Sequence, residues 1–212
     1  MKNIFVINGG QKFAHSGGAF NETLTNWTLD FLRQHPDEFA VQVTHVNDDY
    51  DPADEVEKYK WADVIIYHTP IWWFQLPHRL KEYIDRVFTA GHQQGMYTSD
   101  GRSRKNPAIN YGTGGSLHGR HYMLTTSWNA PEEAFTLPGE FFGQKSVDEG
   151  VMFGFHRMMA FTGVQPLESI HFHDVEKNVN ISRDKDLYRA HLEKVFLGQA
   201  VADVLVGSDS QI

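Results

Sequence analysis

Apolar residues along this chain fall into two arrangements, short continuous runs and longer stretches spaced three and four apart. Ile4-Phe5-Val6-Ile7 is a run of the first kind, as expected for a strand buried on both faces of a parallel sheet. It ends at Asn8-Gly9-Gly10, a turn signal. Leu24, Trp27, Phe31 and Leu32 then recur at helical spacing and predict a helix from Asn21 to about Gln34. Residues 40–46 alternate like a second strand, a short helix fits 53–61, and Asp63-Val64-Ile65-Ile66-Tyr67 reads as a third strand. Helical spacing resumes after Pro70 with Leu76, Leu80, Tyr83, Ile84, Val87 and Phe88.

Residues 89–119 break the rhythm. They hold seven glycines and Pro107 with few apolar residues, and read as a long insertion. Tyr122-Met123-Leu124-Thr125-Thr126 restores strand character. A helix is expected within 146–162, a last strand at 169–173, and a final amphipathic helix from Asp186 to about Leu197. Residues 198–212 read as a loose C-terminal extension. Strands alternating with helices predict an α/β fold, a parallel sheet covered by helices on both sides. In such a sheet, ligands bind beyond the carboxyl ends of the strands. Function is therefore sought after residues 7, 68 and 126.

Composition narrows the chemistry. The 212 residues include no cysteine, which excludes a disulfide framework, a thiolate nucleophile and cysteine-ligated metals or clusters. The net charge of −8 disfavours broad binding to nucleic acid or to an anionic membrane. No run approaches the length of a membrane span, and the N-terminal MKNIFVING lacks the pattern of a secretory signal, so a cytoplasmic location is expected.

Three loops carry the candidate chemistry. The first, Phe13 to Thr23, joins a buried strand to a helix start and is rich in small and hydroxyl residues. Such a loop can aim backbone N–H groups at a phosphate, or simply turn the chain into a capped helix. It is neither a Walker A loop nor a GxGxxG fingerprint. The second, Thr69 to Pro77, sets three consecutive aromatics between prolines, offering flat faces to a planar ligand or to neighbouring helices. The third, Thr126 to Phe135, again mixes an aromatic with hydrogen-bonding groups. Its adjacent Glu132 and Glu133 do not have the geometry of a glycosidase pair.

These loops together carry a family likeness. Ile7-Asn8-Gly9 with Lys12-Phe13-Ala14-His15-Ser16, Pro70 with Trp72-Trp73, and Thr98-Ser99-Asp100-Gly101-Arg102 through Arg104-Lys105 contribute to it. So do Tyr111-Gly112 with Gly114-Gly115, and Trp128-Asn129-Ala130-Pro131 with Ala134-Phe135-Thr136. In these stretches, which reach to about residue 160, the sequence resembles the modulator of drug activity B family of NAD(P)H:quinone reductases. Mammalian DT-diaphorase is a more distant likeness, through Ala14-His15-Ser16 and Phe20-Asn21. The resemblance implies a flavodoxin-like, doubly wound, five-stranded parallel sheet of order 2-1-3-4-5. It implies one domain over residues 1–197, bound FAD, NADPH as donor with NADH as the alternative, a quinone or other flat acceptor, and a homodimer.

It also implies site residues. FAD phosphate and ribityl contacts fall on His15, Ser16, Gly17, Gly18, Ala19, Phe20, Asn21, Glu22 and Thr23. Pro70, Ile71, Trp72 and Trp73, with Ser127, Trp128, Asn129 and Ala130, would hold the isoalloxazine ring, and Tyr111 would contribute from the insertion. Trp73 and Phe74 are expected to shape the substrate face, and donor and acceptor taking turns at one place predicts ping-pong kinetics. Backbone N–H groups of the Ser127–Ala130 loop are expected to stabilise charge on the reduced ring. No side chain is assigned as a catalytic acid or base.

Other features are read more plainly. Asp48-Asp49-Tyr50-Asp51-Pro52 lacks the glycine and terminal glutamate of a calcium loop. His171 and His173 make only half a metal site, and no metal is expected. Arg102, Arg104, Lys105 and Arg120 make 100–120 locally basic, either as a solvated loop or as an attractor of cofactor phosphates. The competing functions are an FMN-dependent azo or nitro reductase on the same fold, a flavodoxin-type electron carrier, and a cofactor-free binding domain.

Overall fold

The computed structural model describes residues 1–14 and 16–198. His15 and the extension from residue 199 onward lie outside the described residues. Six strands are formed, β1 (Lys2–Asn8), β2 (Phe39–His45), β3 (Val64–Pro70), β4 (His121–Ser127), β5 (Gln165–Pro166) and β6 (Ile170–Phe172). The helices are α1 (Ala19–Arg33), α2 (Pro52–Trp61), α3 (His78–Ala90), α4 (Glu133–Thr136), α5 (Phe153–Thr162) and α6 (Ile181–Leu192), the last running into a π-helical turn, Glu193–Leu197.

The parallel sheet has the order β2-β1-β3-β4-β5, with β6 also paired to β4. Its centre is apolar on both faces because successive side chains point to opposite sides. Phe5, Ile7, Ile65 and Tyr67 face the core closed by α2, α3 and α5, whereas Ile4, Val6 and Ile66 face the core closed by α1 and α6. The continuous apolar run at 4–7 is the signature of that double burial.

The expected last strand, 169–173, is β6 (Ile170–Phe172), and a two-residue strand that was not expected, β5, precedes it. β5 pairs with the start of β4 and β6 with its end, and the Leu167 N–H reaches the Tyr122 carbonyl between them (2.7 Å). Pro166, which has no N–H to give, is tolerated because this is the edge of the sheet. Two further differences are local. The four-residue α4 has too few residues for a readable period, and α6 begins at Ile181, not Asp186. Its start is set by Asn180, whose side chain accepts from the Arg183 N–H (3.1 Å), ahead of the apolar periodicity.

The insertion contains neither helix nor strand between Gly91 and Arg120. Gly114 and Gly115 dock it. A Cβ at Gly114 would stand 2.0 Å from the Ser99 carbonyl oxygen, and one at Gly115 2.3 Å from the Thr162 carbonyl carbon at the end of α5. Only a glycine backbone fits that approach.

His68, at the end of β3, is fully buried, with Nε2 3.0 Å from Thr28 Oγ1 and Nδ1 2.5 Å from Thr125 Oγ1. Burial depresses its pKa from 6.5 to about 3. The unfolded chain therefore takes up this proton first, so the associated stability is complete above pH 6.5 and is lost as the pH falls toward 3. Urea titrations over that range are expected to show stability falling by up to about 1.4 kcal/mol per pH unit from this group. His68→Gln should flatten that component; an unchanged slope would show that His68 is not its source.

Candidate functional site

The carboxyl ends of β1, β3 and β4 open onto a cavity of about 750 Å³. Among the described residues its lining comes from Phe13 and Ala14, from Ser16 to Asn21, from Pro70 to Trp73, from Ser127 and Asn129, and from Val175 and Glu176.

The first wall is a tight turn followed by a helix start. Phe13 and Ser16 exchange backbone hydrogen bonds of 3.0 and 2.9 Å. Gly18 then caps α1 at φ 71°, and no side chain caps the helix. A Cβ at Gly18 would press to 3.1 Å on the Gln11 backbone. The N–H groups of the first turn of α1 thus lie uncapped beside the cavity, where the positive end of the helix favours an anion. Asn21, 2% exposed, belongs to this turn. Its Nδ2 donates to Ser127 Oγ (3.2 Å), while its buried Oδ1 has no partner among the described residues. A buried acceptor left unpaired costs stability unless something outside the chain pairs it.

The second wall is aromatic. Trp72 and Gln75 exchange two backbone hydrogen bonds of 3.0 Å, closing a two-residue turn whose central residues are Trp73 (φ 49°) and Phe74 (φ 61°). Such a turn ordinarily takes Asn-Gly, because left-handed backbone is unfavourable for bulky side chains. Trp72 packs against Phe13 (5.5 Å between ring centroids), fastening the two walls together. Trp73 is 92% exposed at the tip. Phe74 lies outside the cavity, stacked on Phe141 at 5.4 Å.

The third wall, after β4, departs from the sequence reading. Trp128 is buried, sends its indole N–H to Thr126 Oγ1 (2.6 Å) and packs edge-on to Phe135 (5.0 Å), so its ring belongs to the core and not to the cavity. Its backbone N–H is also committed, to the Phe172 carbonyl (2.8 Å). Asn129 and Ala130 donate no backbone hydrogen bond among the described residues, which leaves them as the loop's available donors. The Ala130 side chain stays behind the cavity wall.

Other expected residues lie elsewhere. Glu22 lines an adjoining hollow of about 310 Å³ with His45 and Asn47, and accepts from Asn8 Nδ2 (2.8 Å). Thr23 turns back to the Ala19 carbonyl (2.9 Å). Tyr111 is 70% exposed on the insertion, against Phe161 and under the Arg102 guanidinium. Arg102 is paired with Asp100 (2.7 Å) and Arg120 donates to the Lys60 carbonyl (2.6 Å), so neither basic group lines the cavity. His171 is engaged by Thr126 and Asp148, and His173 lies along the Trp128 ring. Phe13 and Ala14, in the expected loop but not among the expected contacts, line the cavity, and so do Val175 and Glu176, which were not singled out although the strand-end rule applied to the last strand points at 175–176. Glu176 is the one titratable side chain in the lining among the described residues.

Comparison with known proteins agrees with this geometry. An uncharacterised protein of Schizosaccharomyces pombe is 48% identical over 193 residues, covering 91% of this chain and 96% of that one. The NADPH:quinone oxidoreductase MdaB of Haemophilus influenzae is 42% identical over 194 residues, covering 92% of this chain and 99% of its own. A candidate quinone reductase of Klebsiella pneumoniae, at 20% identity, shares the fold with a TM-score of 0.73 over 92% of this chain and 85% of that one. A family model described as a flavodoxin-like fold matches residues 2–195. With the sheet order, the strand-end cavity and a likeness to MdaB over nearly its whole length, the chain belongs to the flavodoxin-like family.

Proposed function

We propose that this protein is a flavin-dependent NAD(P)H:quinone reductase, built as one domain over residues 1–197 and holding FAD in the strand-end cavity. The observation that carries the reading is Asn21. Its Oδ1 is a buried acceptor with no partner among the described residues, on a residue of the wall of a cavity bounded by an uncapped helix start and an aromatic turn. Those are three complementary surfaces for one elongated ligand: anionic at one end, hydroxylated between, flat and aromatic at the other.

Gly17 to Phe20 would bind the phosphates through backbone N–H groups, and Asn21 with Ser127 would meet the hydroxylated linker. Ile71, Trp72 and Asn129 would hold the ring, with Trp73 standing over its open face. Bound there, FAD would supply two-electron redox chemistry between NADPH and a quinone, with the hydroquinone's remaining proton coming from solvent. The protein excludes water with Phe13 and Trp72 and orients both substrates against one exposed face. A side chain that moves protons is not part of this reading; among the described residues that line the cavity, Glu176 is the one titratable group.

The test is the absorbance spectrum of the purified protein, with anaerobic addition of each nicotinamide. A yellow protein that releases FAD and is bleached by NADPH is expected. Initial rates with quinone should give parallel double-reciprocal lines, and intersecting lines would overturn donor and acceptor sharing one place. Release of FMN would make the protein the FMN-dependent reductase instead. A colourless preparation that cannot be reconstituted would overturn flavin chemistry altogether.

A further inference from the structure

Behind the third wall of the cavity runs a chain of polar side chains that ends on that wall. Asp148 sits in the turn before α5, and its Oδ1 faces two histidines, His156 Nε2 on α5 (2.8 Å) and His171 Nε2 on β6 (3.3 Å). Each histidine leads on to β4. His156 Nδ1 meets the Tyr122 hydroxyl (2.5 Å), and His171 Nδ1 meets Thr126 Oγ1 (2.7 Å). The second branch ends on Trp128, whose indole N–H enters the same Thr126 oxygen (2.6 Å). Trp128 stands between Ser127 and Asn129, both in the cavity lining.

Chemistry orders the hydrogens along this chain. A carboxylate only accepts, and a neutral imidazole carries one hydrogen. Partial burial works against the Asp148 carboxylate, yet the two histidines hold its pKa well below the usual range. Burial keeps the Tyr122 phenol above its usual pKa, so it donates to His156 Nδ1, and the His156 hydrogen lies on Nε2 toward Asp148. His171 Nε2 is buried and faces no partner among the described residues but Asp148. A bare nitrogen there would set a lone pair against the carboxylate, so the hydrogen sits on Nε2 and Nδ1 accepts. Thr126 then gives its hydrogen to His171 and keeps its oxygen for the indole. With the hydrogen on Nδ1, two N–H groups would converge on that oxygen, and the threonine hydrogen would have no acceptor among the described residues.

We infer that Asp148 is a positioning residue for the flavin. It fixes the hydrogen of His171 so that Thr126 anchors the Trp128 ring, and the anchored ring holds Ser127 and Asn129 along the cavity. The inference rests on reading the cavity as a flavin site and adds to it a residue outside the lining. Apolar side chains at 126 and 171 would fill the space without desolvating a hydroxyl and an imidazole. What the polar chain adds is direction, because a fully satisfied hydrogen-bond network holds the indole in one orientation.

The experiment follows the release of FAD from the loaded protein, read as flavin fluorescence recovered on dilution. Beside it stands the indole N–H resonance of Trp128, identified by its loss in Trp128→Phe. Asp148→Leu removes the acceptor at similar volume, whereas Asp148→Asn keeps an acceptor oxygen for both histidines. Asp148→Leu is expected to speed release about five- to tenfold, the factor carried by one ordinary hydrogen bond, and to shift the indole resonance. Asp148→Asn should stay within about twofold of the wild type in release and leave the resonance in place. Thr126→Val should speed release by a similar factor to Asp148→Leu. Adding Asp148→Leu to it should then change release by less than about twofold, since the carboxylate has no hydroxyl left to act through. Full multiplication of the two effects, an unmoved resonance in Asp148→Leu, or an asparagine variant that behaves like the leucine one would each overturn the inference. Asp148 is partly exposed, so its variants are expected to fold; Asp148→Ala makes the same comparison if Asp148→Leu does not. If the wild type holds no FAD, the reading of the cavity fails instead, and the indole resonance alone decides whether Asp148 sets Trp128.

Discussion

Asn21→Leu is expected to weaken flavin binding about 10- to 100-fold while leaving the flavin-free protein as stable as before or more so. The two effects have one cause. In the free protein the buried Oδ1 of Asn21 has given up water without gaining a partner, a cost of about 1–3 kcal/mol that leucine does not incur. Flavin binding would return that cost through a hydrogen bond, and leucine removes the return; about 1.4 kcal/mol corresponds to a tenfold change in Kd. Loss of the bond from Nδ2 to Ser127 Oγ offsets part of the gain in the free protein. Fluorescence titration with FAD, beside urea denaturation of the flavin-free protein, measures both. A variant that loses stability but keeps its flavin affinity would show that Asn21 serves the fold and not the ligand.

Glu55→Ala is expected to destabilise the protein by about 3 kcal/mol, with the activity per folded molecule little changed. Glu55 is 2% exposed on α2 and gathers partners from three elements. Its carboxylate accepts from Thr44 on β2 (2.9 Å), from the Tyr83 hydroxyl on α3 (2.6 Å) and from Lys58 on its own helix (2.5 Å). Burial and the nearby carboxylate hold the Tyr83 phenol well above its usual pKa, so it remains a donor. Removing the carboxylate strands a buried phenol and a buried threonine hydroxyl, and takes the partner from a half-shielded ammonium. Urea denaturation measures the loss. A change below about 1 kcal/mol would mean that water replaces the carboxylate, contrary to the burial seen here.

The sheet and the loops at its carboxyl ends were legible because each is written locally. Ile4 to Ile7 announce double burial by their continuity, and the small residues after Ser16 mark the turn into a helix, although a Ser or Asn cap was the plain expectation and Gly18 takes that place. What was not legible depends on direction or on distant packing. Trp128 sits in the expected loop, but whether its ring turns outward or inward is decided by Thr126 and Phe135, and it turns inward. Tyr111 is carried by an insertion whose place is set by Gly114 and Gly115 against Ser99 and Thr162, contacts that no local period records. The last strand was read over 169–173, where β6 lies; β5, Gln165–Pro166, was not read, because two residues carry no period and pairing with the start of β4 defines it.

The turn at Trp73-Phe74 bears on any attempt to improve this protein by design. Both central residues lie in left-handed backbone, and the substitution that relaxes such a turn, Asn-Gly, belongs among the routine stabilising changes. A redesign guided by stability alone would make that replacement early and be rewarded in melting temperature. It would also remove the ring at the edge of the cavity and the ring stacked on Phe141. Substitutions at 73 and 74 are therefore best screened by turnover before thermal shift.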